Sequence, residues 1–162
     1  MPPPRQLCAS LLVFLAALAL SSPAAAAQRA VTLNESERSL LSAVNGVRAA
    51  HGLRSLDVDP ALQRAAHSHS ATMLRSGRFT HGAMGARLAA HGVVGPRYGE
   101  NLAWAMGRLA AARNIVHSWL TSPGHRANLL HPGWNRIGIG ALRGTFLGHR
   151  DAIVVTADFA GS

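Results

Sequence analysis

Apolar positions recur with a helical period through most of the chain and change to a strand period near its end. Leu40, Leu41, Val44 and Val47 form one helical face; Thr32 or Asn34 stands ahead as a cap with Glu35 or Glu37 three residues on, and Gly52 closes the segment. After an extended stretch over 53–58, Asp59-Pro60 sets an N-cap before a first-turn proline. Leu62, Ala65, Ala66, His69 and Met73 then continue at helical spacing to Ser76-Gly77, predicting a helix over 60–75. A short helix is expected over 86–91, loop over 92–98, and a short strand at Leu102-Ala103-Trp104. Ala112, Ile115, Val116 and Trp119 predict a helix over 109–120, and Ser122-Pro123 repeats the cap-then-proline signature, placing His125 in the first turn of a short helix ending near Leu130.

The last third reads as strands. Residues 136–142 alternate as a half-buried strand does, 152–159 are β-branched through the middle, and 143–151 are expected to connect them as a hairpin. Helices early and strands late predict an α+β fold, a small and mainly antiparallel sheet flanked by helices, in one domain over 28–162 without repeat or linker.

The N-terminus changes the compartment. Arg5 precedes an apolar run over 7–20, and Ser21-Ser22-Pro23 leads into Ala24, Ala25, Ala26 and Ala27, the pattern of a secretory signal peptide over 1–27. The run falls short of the roughly 20 residues that span a bilayer, so a cleaved leader and a secreted, extracellular or periplasmic domain are expected, with no transmembrane segment left. Cys8, the single cysteine, leaves with that leader, so stability rests on packing and not on disulfides.

Charge narrows the partners. All sixteen basic side chains are arginine, against seven acids, and loss of Arg5 changes the net charge from +9 to +8. The arginines are scattered rather than run together, which predicts a general solvated basic surface. An exported basic domain meets anionic lipid head groups or cell-wall polymers before nucleic acid, which is not expected as a partner.

Three residues able to bind a metal or move a proton sit at punctuated positions: His81 in Arg-Phe-Thr-His, Glu100 in Tyr-Gly-Glu-Asn-Leu, and His125 in Ser-Pro-Gly-His-Arg. Each adjoins a Gly, Pro or aromatic residue that places it near the end of an element, where side chains distant in sequence converge. His67 and His69, two apart on one helix, point different ways and cannot chelate together; His69 is expected to be packed or at a cavity rim and His67 exposed. Gly-x-Ser-x-Gly and His-Glu-x-x-His are both absent, Ser122 reads as a helix cap, and Asn101 and Asn128 read as ties on loop backbone.

Taken in order, Asn45-Gly46-Val47-Arg48, Phe79-Thr80-His81, Gly99-Glu100-Asn101-Leu102, Trp119, Ser122-Pro123-Gly124-His125-Arg126-Ala127-Asn128-Leu129-Leu130, Ile137-Gly138-Ile139-Gly140 and Thr156-Ala157-Asp158-Phe159 resemble the CAP superfamily. This superfamily includes cysteine-rich secretory proteins, insect-venom antigens and plant pathogenesis-related proteins, with a cysteine-free bacterial branch often called SCP-like. The resemblance implies a three-layer α-β-α sandwich whose central cavity carries two histidines and two acids and can hold a divalent ion such as zinc. His81 looks like the first histidine, Glu100 like the acid of the Gly-Glu-Asn motif and His125 like the second histidine. The remaining acid, which in many members follows the first histidine closely, does not carry over: residues 82–87 contain none.

Two histidines and a glutamate match the three protein ligands of an open zinc site, with His81, His125 and Glu100 as the metal set. Glu100 could instead orient a histidine or act as a base on bound water, and the ion-free alternative is a buried hydrogen-bond network. The expected function is a secreted module that binds lipid, glycan or other cell-envelope components. The alternatives are a metal-dependent hydrolase with Glu100 as general base and a purely structural role.

Overall fold

The computed structural model describes residues 32–161. The expected leader over 1–27 lies outside them. Helix α1 spans Glu35–Ala50, strand β1 Asp57–Val58, α2 Pro60–Ser76, α3 Met84–Ala90 and β2 Arg97–Ala105. A 3-10 turn over Gly107–Ala110 leads into α4, Ala112–Thr121, followed by α5, Pro123–Leu129, β3, Trp134–Phe146, and β4, His149–Gly161. The sheet order is β1-β3-β4-β2, antiparallel except for the parallel β1–β3 pair.

Local chemistry starts the long helices as expected. Asn34 is the cap of α1: its side chain accepts from Glu37 N at 2.9 Å while Glu37 Oε2 accepts from Asn34 N at 2.9 Å. Such a cap is worth about 1 kcal/mol. Asp59 Oδ1 accepts from Ala61 N and Leu62 N to open α2.

Helix α2 covers one face of the sheet, and α1, α4 and α5 lie on the other. Strand β4 is buried at every residue from 152 to 161 because both of its faces are covered. Ile153, Val155, Ala157 and Phe159 join Leu40, Val44, Val116 and Trp119 in the main core, while Ala152 and Val154 pack with Met73 and Phe146 under α2. The Ile137-Gly138-Ile139-Gly140 alternation has a direct cause. The isoleucines point into the main core, and the glycines let α2 lie on the strand itself: a Cβ on Gly138 would fall 2.1 Å from the Leu62 carbonyl carbon, and one on Gly140 2.3 Å from Ala66 O.

Side chains finish the sheet edges. Beyond the two residues of β1, Gln63 both donates to Ile139 O at 2.6 Å and accepts from Ile139 N at 2.8 Å. Asn34 donates to Ala141 O and Glu37 accepts from Ala141 N. On the opposite edge, the Glu100 and Leu102 carbonyls of β2 accept from Asn128 Nδ2 and Trp119 Nε1. These bonds occupy the Ile139 and Ala141 amides and carbonyls and the Glu100 and Leu102 carbonyls, which blunts both edges.

Three expectations need correction. Strand β2 is nine residues long rather than three and takes in Arg97 and Tyr98, which read as loop in the sequence. The connection expected over 143–151 is mostly strand, reduced to a two-residue turn at Leu147-Gly148, with φ of 50° and 83°. Both residues occupy the left-handed region that such a turn requires, and Leu147 is a costly choice there, by about 1–2 kcal/mol. Finally, the arginines are not all solvated. Arg48 is completely buried and its guanidinium donates to the carbonyls of Arg54, Leu129 and His131 at 3.0, 3.0 and 3.1 Å, binding α1 to the chain around α5.

Candidate functional site

Glu100 is the centre of the site. In β2 its side chain shares the α2 side of the sheet with Leu102, and both carboxylate oxygens are taken. His81 Nδ1–H donates to Oε1 at 2.6 Å, and the Arg87 guanidinium pairs closely with Oε2. The carboxylate accepts on Nδ1, so the proton sits there and Nε2 of His81 is the ring's other, open nitrogen. His81 itself is 61% exposed whereas the Glu100 side chain is 1% exposed, so the pair bridges solvent and interior.

The structure supplies a second acid that the sequence reading missed. Asp158 of β4 is the cross-strand partner of Glu100, is fully buried, and has Oδ1 3.5 Å from Arg87 Nη2. Neither Asp158 oxygen has a hydrogen-bond partner among the described residues. Burial and repulsion from Glu100 push its carboxyl well above the usual range, against the pull of Arg87, so Asp158 is the protonated member of the pair. Burial also raises Glu100, offset mainly by the Arg87 charge. Arg87, in the stretch that carries no acid, thus lies between two carboxylates, one of them neutral. Its signal in the sequence was nil, since it looks like any helix-surface arginine. Asp158 had one: it is the one charged residue in the apolar stretch over 152–161.

His69 packs behind this pair as expected. Its Nε2 bonds to Thr80 O at 2.9 Å and lies 3.9 Å from Glu100 Oε2. Burial, then the charges of Arg87 and His81, push it down to about 4, so the ring is neutral and Nε2–H donates to the Thr80 carbonyl. His67 is exposed, also as expected.

His125 arrives on α5, which is stitched to β2 beside Glu100. Asn101 Nδ2 donates to His125 O at 3.0 Å, and Asn128 Nδ2 donates to Glu100 O at 3.0 Å and to Asn101 Oδ1 at 3.1 Å. These bonds make both asparagines the backbone ties that their motifs suggest. Ser122 is the N-cap residue of α5 as expected, but its side chain makes no cap bond: its Oγ is hydrogen-bonded to His125 Nδ1 at 2.8 Å and orients the histidine. Burial, together with the charge of His81, holds His125 below the ordinary imidazole value, which places the two rings in one electrostatic neighbourhood.

The three predicted residues therefore divide. His81 and Glu100 are in contact, and His125 stands nearby without bonding to either. For a metal the donor set is poor: Glu100 has no free oxygen, a guanidinium sits beside it, and among the described residues no group of three His, Cys, Asp or Glu is placed to hold an ion. The expectation of zinc held by His81, Glu100 and His125 together finds no support in this arrangement. The open nitrogens of the two imidazoles, with Arg87 behind, favour hydrogen bonds to a polar or anionic ligand instead.

Comparison with known proteins agrees with the architecture. Residues 41–159 match the model of the family described as CAP, cysteine-rich secretory protein family. The chain is 34% identical over 113 residues to YlbC, an uncharacterised membrane protein of Bacillus subtilis, covering 67% of this chain and 32% of YlbC. An extracellular protein of Bacillus anthracis containing an SCP domain superposes with a TM-score of 0.65 at 26% identity, over 78% of this chain and 40% of that one. An outer surface protein of Borrelia burgdorferi gives 0.63 at 21% identity, over 82% and 97% of the two chains. The chain thus spans less than half the length of the two Bacillus proteins. A more distant fold neighbour, the secreted Ancylostoma protein Ac-ASP-7, has been solved with manganese bound, with a TM-score of 0.52 at 11% identity over 81% and 72% of the chains. No helix among the described residues is long and apolar enough to cross a membrane. With a family model covering most of its length and the same layered fold in its neighbours, this chain is a member of the CAP family.

Proposed function

We propose that this CAP domain is exported and works as a binding module, with the surface around His81, Glu100 and His125 holding a lipid head group, glycan or other cell-envelope component. The observation that carries this reading is Arg87, which pairs with Glu100 and lies 3.5 Å from Asp158. A general base needs a carboxylate oxygen free to take a proton, and here Glu100 has given one oxygen to a guanidinium and the other to His81 Nδ1–H. Engagement of both oxygens weighs against Glu100 as a base on water, whereas it gives the binding reading a rigid floor. Glu100 fixes the His81 ring so that Nε2 faces outward, Ser122 fixes His125, and Asn101 and Asn128 hold α5 against β2. Two pre-oriented imidazoles then offer hydrogen bonds to phosphate, carboxylate or hydroxyl oxygens with little entropy left to lose. The extracellular and outer-surface neighbours support export, as does the leader pattern over 1–27.

The test is a binding screen against envelope lipids and wall glycans, run on the purified protein and on His81→Ala, alongside elemental analysis of both. A ligand retained by the parent and released by His81→Ala, with no stoichiometric metal in either, is the expected result. Turnover that chelation abolishes and a divalent ion restores would overturn the binding reading in favour of the hydrolase.

A further inference from the structure

The β3–β4 hairpin ends in an arrangement that neither the core nor the His81–Glu100 site explains. Leu147, at the apex, is 52% exposed and sits at φ 50°, where asparagine or glycine is the favoured residue. Beside it Phe146 is buried and packs edge-on against Phe79 at 6.5 Å and Trp104 at 5.8 Å, and Trp104 stacks on His149 at 5.7 Å. Phe79 is itself 43% exposed. Met106, 44% exposed, follows the end of β2, which the Ala105–Ile153 pairing places at the same end of the sheet. A strained backbone that displays an apolar side chain, over an aromatic platform, is a site held for contact with something apolar.

Charge identifies the partner. Arg150 follows His149 in the hairpin, Arg78 precedes Phe79, and Arg75 lies in the last turn of α2, whose Leu74 touches the hairpin at Gly144; all three arginines are exposed. None of the three has an ion pair among the described residues. The acid near this end is Asp151, which is paired with Arg143 at 3.3 Å. An apolar apex ringed by unpaired cations matches a surface with anionic groups outside and hydrocarbon within, which is an anionic lipid bilayer. Arginine suits this role because its fork binds phosphate while its stem lies along apolar surface.

We propose that the β3–β4 hairpin tip, with Leu147 at its apex and Phe79 and Trp104 beside it, docks this domain onto anionic lipid bilayers. Leu147 and Phe79 enter the head-group boundary and Arg75, Arg78 and Arg150 pair with lipid phosphates. The docking surface does not include His81, Glu100 or His125 and does not rest on the binding function proposed for them.

The test is co-sedimentation of the full chain with phosphatidylcholine vesicles and with vesicles containing phosphatidylglycerol, comparing the parent with Leu147→Asn and with Arg78→Gln/Arg150→Gln. Leu147→Asn relieves the turn strain, so it folds at least as well as the parent and its loss of binding cannot be laid to unfolding. Any contribution from the apolar run over 7–20 is common to all variants. The expected result is a preference for the anionic vesicles that salt screens, a several-fold loss with Leu147→Asn, and a loss of about fivefold per arginine removed. Quenching of tryptophan fluorescence by brominated acyl chains should fall in parallel. Equal binding by Leu147→Asn and the parent overturns the proposal, as does equal binding to neutral vesicles. A parent that self-associates through the tip, or binds a lipid-free anionic wall polymer with the same dependence on Leu147, overturns it in favour of that partner.

Discussion

Glu100 and Asp158 face each other across neighbouring strands, two acids at directly paired positions in the interior of the sheet. Like charges so placed repel, and the arrangement persists because Arg87 serves both and because Asp158 keeps its proton.

Removing the guanidinium should therefore be severe. Arg87→Met is expected to cost about 3–5 kcal/mol, the range found when one partner of a buried ion pair is deleted, and to lower the urea midpoint accordingly. Adding Glu100→Gln and Asp158→Asn to Arg87→Met should recover most of that loss. A triple variant no more stable than Arg87→Met would show that the guanidinium acts through packing and not through charge.

Asp158 also predicts a stability that declines as pH rises. Its folded pKa stands well above that of the unfolded chain, so the folded state holds the extra proton between the two values. Stability is then full below the unfolded value, about 4, and is lost as pH rises through the folded one. Asp158→Asn should flatten the decline in melting temperature as pH rises above the ordinary carboxyl range. An unchanged slope would mean that another group titrates.

His69 works in the opposite direction. Its folded pKa, lowered to about 4, lies under the unfolded value near 6.5, so its contribution is present above 6.5 and is lost as pH falls towards 4. The full effect is on the order of 3 kcal/mol. His69→Gln, which can still donate to the Thr80 carbonyl, should remove most of the acid-side slope; His125, shifted the same way, accounts for the remainder. Chemical denaturation at pH 4.5 and pH 7 checks this.

Two glycine substitutions should give results of opposite sign. Gly138→Ala drives a methyl group into the backbone of α2 and is expected to cost more than about 4 kcal/mol, since backbone cannot shift as a side-chain tip can. Gly46→Ala, in an exposed position of α1 with no atom within 4 Å, should stabilise by roughly 0.5–1 kcal/mol. Circular dichroism melts of the two variants decide it.

The ends of the long helices are legible because their signals are local. Asn34 with Glu37, Asp59 with Pro60 and Gly77 after Ser76 each act within one turn, and each appears where the sequence places it. The extent of β2 and of the hairpin is not legible. Arg97 and Tyr98 join a strand only because Gly161 and Ala160 of β4 lie opposite them, and residues 143–146 do so because His149 to Ile153 fold back on them without a turn signal such as Asn-Gly. In the site, His81 and Glu100 meet although 19 positions separate them, while the parts played by Arg87 and Ser122 leave no trace in the sequence.

Family, helix starts and the candidate histidines and glutamate follow from the order of residues alone, because capping, periodicity and ordered motifs are properties of near neighbours in the chain. What Glu100 is bonded to is a matter of tertiary structure. The register of β2 on β4 set Asp158 opposite it and the docking of α3 brought Arg87 between them, so a carboxylate that the sequence shows alone is bonded into a buried group with Arg87 and Asp158. Electrostatic partners are chosen by distance in space, and no spacing along the chain encodes that distance.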